Sequence, residues 1–343
     1  MTDYKILPDG SPSRLSINSL YMVGLPTMFG MEQWNGKQGK EIYSKEVLKQ
    51  QIEKCFHVKF KIEEAYIAHV NRLLDTTSAW NGAFVCWLSE LALGLFSILY
   101  LLKKQPIEFV GKNNMREQDC VFWKSCNMVV LCAVFLRGQV GQFITKEINE
   151  YVLKTGLQPI RVMCAGSDVT PSLMGCCRAA AMHSQVFTYD FGSTRVKRGF
   201  TFRGESALRE LDAIYLSERD FETGETLHEK IHRIIVHDIN RLALGRGRDL
   251  AVSMCLANNI MYGEILDRGR YGVLKTLGGS YRLFLQDALQ RILHRELPVY
   301  MMNDAEAVAI LYAHFAPMAA VFTFGTAIGV GYAPVLEKEN LKC

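Results

Sequence analysis

The stretch that decides the fold is PVYMMNDAEAVAILYAHFAPMAAVFTFGTAIGVGYA, residues 298–333. Two short apolar runs in it, Val299–Met302 and Ala320–Phe324, have the length and composition of buried strands. The first run ends at Asn303-Asp304 and is followed by a helix-favouring segment. The second breaks at Gly325-Thr326 and resumes as an alternating run. The stretch therefore predicts strand, acidic turn, helix, strand, glycine turn and strand.

A second stretch, VFTYDFGSTRVK, covers residues 186–197 and has a complementary pattern. Val186–Phe191 is predicted to be a strand, and its Asp190 comes just before a tight turn at Gly192-Ser193-Thr194. A carboxylate can hold the water molecules of Mg²⁺, and small turn residues let backbone N–H groups approach phosphate oxygens. The pattern suits a magnesium nucleotide, although Gly-Ser-Thr also suits an ordinary hairpin turn.

A carboxylate at one strand end and a Gly-Thr turn after the next strand suit phosphoryl transfer. Asp304 can accept the proton of a substrate hydroxyl, while Gly325 and Thr326 leave room for phosphate oxygens. Asn303-Asp304 also has the composition of a helix N-terminal cap, and the two roles are compatible.

Three motifs in this order resemble those of the actin-like ATPase and sugar kinase superfamily. DFGSTRVKRG (190–199), ND (303–304) and FGTAIGVGY (324–332) are similar to its first phosphate loop, catalytic acid and second phosphate loop. The sequence is most similar to the hexokinase and ROK (bacterial glucokinase-type) branch. The resemblance implies an α/β, ribonuclease H-like two-domain fold that uses ATP and Mg²⁺. It also implies phosphorylation of a small, sugar-like alcohol in a cleft between domains.

The resemblance further implies a role for each matching residue. Asp304 would be the catalytic base, and Asp190 would hold Mg²⁺ through water. The nucleotide and phosphate contacts would come from Gly192, Ser193, Thr194, Lys197, Gly325, Thr326, Gly166 and Ser167. The substrate contacts would come from Asn303, Asn258, Arg268 and Arg270. A plain strand–helix connection at 166–167 and a solvated loop at 268–270 are the simpler alternatives.

The sequence departs from the family at two points. Ala327 replaces a common second glycine of the second phosphate loop, and a methyl group is tolerated there only at negative φ. The His and Cys zinc cluster and the Glu-x-Gly-His sugar motif of the ROK branch are both missing from the sequence. The class of sugar is therefore left open.

The order of the motifs predicts a circular permutation. From residue 186 the predicted elements run βββαβαβ, the order of the ribonuclease H-like half-domain that the superfamily duplicates. The second phosphate hairpin follows instead of opening its own domain, and an isolated hairpin is not stable. We expect the helix-rich segment 1–185 to complete the second, adenosine-binding domain, with 186–318 as the first domain and 319–343 as the hairpin. A kinase-like half joined to an unrelated helical domain is the alternative.

The N-terminal segment reads mainly as helices. Ser44 is a plausible N-cap for a helix that begins at Lys45. Strands are expected within Leu15–Val23, and a helix is expected over residues 119–136. Residues 83–102 form an apolar run long enough to span a bilayer, but Glu90 in its middle favours a buried helix.

Composition indicates a globular protein of a reducing compartment. The chain has 343 residues, 49% of them hydrophobic, a net charge of +4 and ten cysteines. The polar opening MTDYKILPDG predicts no signal peptide, and the sequence contains no CxxC pair of the kind that binds zinc or an iron–sulfur cluster. We expect a cytoplasmic location, a small-molecule substrate, and neither nucleic acid nor membrane as a partner. The sequence leaves open whether the protein forms a homodimer.

Two other functions compete with a kinase. A non-catalytic descendant could bind a sugar, a nucleotide or a protein without transferring phosphate. Residues 228–232, HEKIH, match the HExxH pattern of zinc hydrolases, with His237 or Glu264 as a third ligand. The Gly-Ser-Thr loop is also similar to that of the ATPases that activate acyl-CoA dehydratases, but their cluster-binding cysteine spacing is missing.

Overall fold

A computed structural model describes most of the chain. The described residues are 5–7, 12–13, 15–61, 63–133, 135–157, 160–165, 170–203, 207–242, 249–258, 260–261, 263–266, 269–313, 318–324 and 328–332. The chain divides into two compact units. The first unit comprises residues 1–6, 169–315 and 334–343, and the second unit comprises residues 7–168 and 316–333.

The strands and helices of the described residues are numbered in chain order. The strands are β1 Lys5–Ile6, β2 Pro12–Ser13, β3 Met128–Cys132, β4 Arg161–Cys164, β5 Gln185–Phe191, β6 Arg195–Phe202, β7 Arg209–Tyr215, β8 Leu250–Leu256, β9 Ile260–Met261, β10 Glu264–Ile265, β11 Val299–Asn303, β12 Ala319–Phe324 and β13 Ile328–Tyr332. The helices are α1 Gly39–Ile42, α2 Lys45–Phe56, α3 Glu63–Asp75, α4 Gly82–Lys104, α5 Ile107–Lys112, α6 Glu117–Ser125, α7 Gly138–Thr155, α8 Pro171–Ala179, α9 Gly224–Leu242, α10 Tyr281–Leu293 and α11 Asp304–Tyr312. Short 3-10 segments lie at Ile17–Ser19, Met28–Trp34, Thr77–Ala79, Glu218–Phe221 and Arg270–Leu277.

The first unit is built on a five-stranded mixed sheet in the order β11-β8-β5-β6-β7. The strands β5, β6 and β7 form an antiparallel meander, and β5, β8 and β11 run parallel. Every residue of β5 and β8 is buried, which explains why both strands are nearly continuous apolar runs. This is the strand order of a ribonuclease H-like domain, as predicted.

Helices cover both faces of this sheet. The helices α9 and α10 pack with Phe187 and Val252 on one face. On the other face, α8 and α11 pack around Cys255 and Met302. The two helices approach so closely that a Cβ at Gly175 would lie 1.6 Å from the main-chain oxygen of Ala307. A glycine is therefore required at this crossing, which fixes α8 over the sheet.

The second unit repeats part of this topology with a different chain order. Its four-stranded sheet has the order β13-β12-β3-β4, with an antiparallel β12–β13 hairpin and parallel β12–β3 and β3–β4 pairs. The strands β6, β5, β8 and β11 of the first unit have the same arrangement. The hairpin comes first in the first unit and last in the second. The C-terminal hairpin thus pairs with a strand from the N-terminal segment, as a permuted fold requires.

The two units divide the chain at residues 168 and 315, whereas the sequence predicted divisions at 185 and 318. The helix α8 accounts for the earlier division, because it packs on β5 and α11 of the first unit. The adenosine-binding role assigned to the N-terminal segment stays a prediction.

Helix α4 is the apolar helix expected at residues 83–102. Among the described helices it alone is long and apolar enough to cross a membrane, by length and composition. Most of it is buried inside the protein, where it packs against α2, α6 and α7. A core helix accounts for its apolar composition.

Two local predictions for the second unit were wrong. The helix expected over residues 119–136 is instead α6, which ends at Ser125, followed by strand β3 from Met128. A short apolar run fits a strand or a buried helix equally well, and pairing with β12 and β4 decides between them. Within Leu15–Val23 the structure has a 3-10 turn at Ile17–Ser19 and an isolated bridge between Tyr21 and Gln38 instead of strands. The predicted cap at Ser44 is confirmed, since its side chain accepts a hydrogen bond from Val47 N.

A buried ion pair fastens α9 to the sheet. Arg198 on β6 donates through Nη1 to the Oδ1 atom of Asp238, and these side chains are only 11% and 1% exposed. The Nε of Arg198 also donates to the main-chain oxygen of Asp212, at 2.8 Å. Removing one partner of such a pair leaves an uncompensated charge away from water.

We expect Asp238→Ala to lower the free energy of unfolding by about 3–5 kcal/mol, measured by urea denaturation with circular dichroism. The matched control is Glu150→Ala, which removes an exposed i,i+4 partner of Lys146 on α7. The control should change stability by less than about 1 kcal/mol. Equal effects of the two substitutions would contradict a structural role for the buried pair.

Candidate functional site

The candidate site lies at the carboxyl ends of three adjacent parallel strands. In the sheet register Asp190 of β5 is opposite Cys255 of β8, and Leu256 is opposite Asn303 of β11. Asp190 and Asp304 therefore lie at the same end of the parallel strands, with β8 between β5 and β11. Neighbouring strands are about 4.8 Å apart, so Asp190 lies about 10 Å from Met302, the residue of β11 at the same level, and Asp304 follows two residues later. Ligands of open α/β sheets bind outside such strand ends.

Asp190 is held by two donors. Its Oδ2 atom accepts a hydrogen bond from Ser172 Oγ at 2.7 Å and an ion-pair contact from Lys197 Nζ at 2.8 Å. Ser172 lies in the first turn of α8, far from Asp190 in sequence, and no motif in the sequence singled it out. The contacts fix the carboxylate at the strand end and leave Oδ1 without a described side-chain donor.

The Gly192-Ser193-Thr194 turn is also held from outside. The hydroxyl of Tyr271 donates to the main-chain oxygen of Gly192 at 2.8 Å, and Arg270 Nη1 donates to that of Ser193 at 2.8 Å. Burial, with a further contribution from the nearby Asp190 carboxylate, raises the pKa of Tyr271, so its hydroxyl stays protonated and able to donate.

These contacts set the direction of the turn's N–H groups. In a trans peptide the C=O of one residue and the N–H of the next point in opposite directions. The N–H groups of Ser193 and Thr194 therefore point away from Tyr271 and Arg270. Within the part of the chain that the structure describes, neither N–H has an acceptor. Two adjacent N–H groups on the same hairpin as the Lys197 ammonium suit an anion such as phosphate.

Arg270 has a different setting from the one predicted. We expected it to contact substrate, but its guanidinium is bonded to Ser193 and paired with Glu218, and it lies over the ring of Phe221. These contacts make it a support of the Gly192-Ser193-Thr194 turn. A substrate contact by Arg270 stays a prediction.

Asn303 is both a helix cap and a link between strand ends. Its Oδ1 atom accepts from Ala305 N at 3.0 Å, and its Nδ2 donates to the main-chain oxygen of Asn258 at 2.8 Å. Asn258 is buried, and its own side chain donates to the main-chain oxygen of Leu266 at 3.3 Å. Asp304 is the first residue of α11 and is half-buried, so the cap places its carboxylate at the strand end.

Two thiols lie under the carboxylates. A hydrogen bond with Cys176 is the main cause that raises the pKa of Cys255, and burial is the second. The nearby Asp190 and Asp304 contribute in the same direction. The thiol therefore stays protonated and acts as a small apolar group in the floor of the site.

The residues fit a magnesium ion that is held mainly by water and phosphate. Among the described residues, no three His, Cys, Asp or Glu side chains form a group that could enclose a metal. Mg²⁺ does not need such a group, since it keeps several waters and commonly binds one carboxylate together with substrate phosphates. Asp190 can supply that carboxylate.

Five predicted site residues lie outside the described residues. They are Gly166, Ser167, Arg268, Gly325 and Thr326. Their roles stay predictions.

The HExxH residues are explained by packing. The ring of His228 lies against Phe284 and Tyr281, and its Nδ1 is 3.3 Å from the Tyr281 hydroxyl oxygen. Burial, with the nearby His232, lowers the pKa of His228. The expected third ligands, His237 and Glu264, are described, and neither forms a metal-binding group with the pair. We therefore do not propose zinc chemistry here.

Comparison with known proteins gives partial similarity only. No protein-family model and no curated protein matches the chain. One similar solved structure is the inorganic polyphosphate/ATP-glucomannokinase from Arthrobacter sp. strain KM, with 20% identity over 46% of this chain and 62% of that one, at a TM-score of 0.33. A Bacteroides thetaiotaomicron protein with actin-like ATPase fold is 12% identical over 46% of this chain and 49% of that one, at 0.26. The Aquifex aeolicus Ppx/GppA phosphatase is 10% identical over 64% of this chain and 82% of that one, at 0.34.

The chain thus spans about three fifths of the glucomannokinase and about half of the Bacteroides protein. Similarity at these scores carries no argument about activity. The two related sheets decide the fold class. The fold is that of the actin-like ATPases. The narrower assignment to the ROK branch stays a prediction.

We expect Asn303→Ala to destabilise the protein by about 1–2 kcal/mol, because it removes the cap of α11 and the bond to Asn258. Thermal unfolding followed by circular dichroism measures the change. Asn303→Asp keeps the capping oxygen and is the matched variant, expected to lose less than half as much. If both variants were as stable as the wild-type protein, the cap would not contribute to stability.

Proposed function

We propose that this protein is an ATP- and Mg²⁺-dependent phosphotransferase that acts on a hydroxyl group of a small, sugar-like substrate. One observation carries the proposal. The carboxylates Asp190 and Asp304 lie at the carboxyl ends of β5 and β11, with β8 between them. Asp190 is also next to a turn whose N–H groups are available to an anion.

The phosphates of ATP would bind at the Gly192-Ser193-Thr194 turn. The N–H groups of Ser193 and Thr194 would donate to phosphate oxygens, and the Lys197 ammonium would balance their charge. Tyr271 and Arg270 would not touch the nucleotide but would keep the turn in this orientation. Magnesium, when bound through water to Asp190, would neutralise further charge on the phosphates.

Asp304 would act as the general base. A substrate hydroxyl that donates to its carboxylate loses its proton as the oxygen attacks the terminal phosphorus, and the leaving group is ADP. The cap at Asn303 holds the backbone that carries Asp304, so the base does not depend on a flexible loop.

The groups beside the proposed base support an uncharged substrate. Asn303 and Asn258 are neutral hydrogen-bonding residues next to Asp304, and they suit an alcohol better than an anion. The nine described cysteines are all free, which supports a reducing compartment such as the cytoplasm.

We expect wild-type protein to bind ATP·Mg²⁺ in isothermal calorimetry, and Asp190→Ala to weaken binding by at least about tenfold. Asp304→Asn should bind ATP·Mg²⁺ as tightly as wild type. In an ADP-release assay with a panel of hexoses and N-acetylhexosamines, the same variant should lower kcat by about 100-fold or more.

Each result has a separate meaning. No binding at millimolar ATP would overturn the proposal. Binding that Asp190→Ala abolishes, without ADP release on any alcohol, would favour the non-catalytic alternative. Equal affinity for wild type and Asp190→Ala would place the nucleotide elsewhere.

We expect Tyr271→Phe to weaken ATP·Mg²⁺ binding by about fivefold, because a lost hydrogen bond of about 1 kcal/mol frees the turn. Calorimetry measures the affinity. Tyr281→Phe is the matched control, since Tyr281 is also buried but its hydroxyl contacts His228 instead of the turn. The same loss in both variants would indicate general destabilisation rather than turn positioning.

A further inference from the structure

Asp190 and Lys197 form an ion pair across two strands. They are directly opposite each other in the antiparallel pair of β5 and β6, so their side chains lie on the same face of the sheet. Lys197 Nζ is 2.8 Å from Asp190 Oδ2, and within the described part of the chain this ammonium has no other partner. The Asp190 side chain is 9% exposed and that of Lys197 is 36% exposed. The carboxylate is thus fixed in the protein, whereas the ammonium can reach solvent.

Ser172 binds the same carboxylate oxygen from helix α8. Its hydroxyl donates to Asp190 Oδ2 at 2.7 Å, and Ser172 is buried. The helix is fixed over the sheet by its close approach to α11 at Gly175. A serine side chain is short, so its hydroxyl stays where the helix places it. The bond therefore orients the carboxylate whether or not the ammonium is bound, and it leaves Oδ1 for the water of a metal ion.

A metal ion would act differently on these two contacts. A divalent cation held by Asp190 through water would repel the Lys197 ammonium, because both are positive and share one carboxylate. The hydroxyl of Ser172 is neutral and would not be repelled. Lys197 lies on the same hairpin as the Gly192-Ser193-Thr194 turn and has a flexible four-carbon stem. Phosphate oxygens at this turn would offer its ammonium a new anionic partner.

We propose that Ser172 is the positioning residue of the metal-binding carboxylate and that Lys197 is its exchangeable counter-ion, so that a metal ion binds tightly only together with a nucleotide. This inference rests on the proposed function. Without a nucleotide the ammonium neutralises Asp190 and competes with a free metal ion. The phosphates of ATP withdraw the ammonium, and Asp190, still held by Ser172, is then available to the ion.

The first test uses a metal ion alone. Mn²⁺ takes the same oxygen ligands as Mg²⁺, and the electron paramagnetic resonance signal of the free ion reports its binding to the full chain. We expect Lys197→Met to bind Mn²⁺ at least about fivefold more tightly than wild type, because the competing ammonium is gone. Adding Asp190→Ala to this variant should abolish the gain. Lys230→Met is the matched control, since it removes a similarly exposed lysine that is paired with Asp220 at 3.5 Å, and it should bind Mn²⁺ as wild type does.

The second test separates Ser172 from Lys197. In calorimetry with ATP, Ser172→Ala should weaken binding by about tenfold in the presence of Mg²⁺ and leave binding in EDTA unchanged, because the hydroxyl acts only through the metal-binding carboxylate. Lys197→Met should weaken ATP binding under both conditions, because its ammonium is the group that meets the phosphates. Circular dichroism confirms that the variants are folded, and Lys197→Gln replaces Lys197→Met if the latter does not fold.

The outcomes are distinct. Unchanged Mn²⁺ affinity in a folded Lys197 variant, or the same gain in Lys230→Met, would overturn the exchange of counter-ions. An equal loss of ATP affinity with and without Mg²⁺ in Ser172→Ala would overturn the positioning role and leave Ser172 a structural residue. The Mn²⁺ titration contains no nucleotide. A gain in Lys197→Met together with no ATP binding by wild type would therefore refute the proposed function and still support the competition at Asp190.

Discussion

The first unit depends on the two-sided burial of its central strand, Gln185–Phe191. This strand is hydrogen-bonded to β6 and β8, and all seven of its residues are buried. A strand in that position has one allowed register, because a shift by one residue would exchange its two buried faces. The register places Asp190 at the strand end, beside Ser172 and Lys197. The chemistry of the site is therefore a consequence of core packing.

Much of the first unit could be predicted because its buried strands show clearly as apolar runs in the sequence. Residues 186–191, 250–256 and 299–303 are largely apolar runs of strand length, and a glycine or an asparagine lies at the end of each run or within two residues of it. The strands of the second unit were harder to predict. Residues 128–132 form a strand only because β12 and β4 flank them, and a distant partner leaves no local pattern.

The candidate site shows the same division between local and distant information. Asp190, the Gly-Ser-Thr turn and Asn303-Asp304 could be picked out, since each couples a strand end to turn or cap chemistry. Ser172 could not, because its contact with Asp190 requires α8 to cross α11 at Gly175. The contacts of Tyr271 and Arg270 with the turn could not be predicted from the sequence either. A side chain's direction is settled by tertiary packing, which the composition of a loop does not encode.

The chain order of the second sheet has a consequence for biosynthesis. Strand β3 pairs with β12, and residues 169–315, the largest part of the first unit, are encoded between them. On the ribosome β3 must therefore wait, with one edge unpaired, until the first unit has emerged. Such non-local pairing slows folding and exposes strand edges to association with other chains. The second unit therefore completes its sheet only after residues 169–315 have been synthesised.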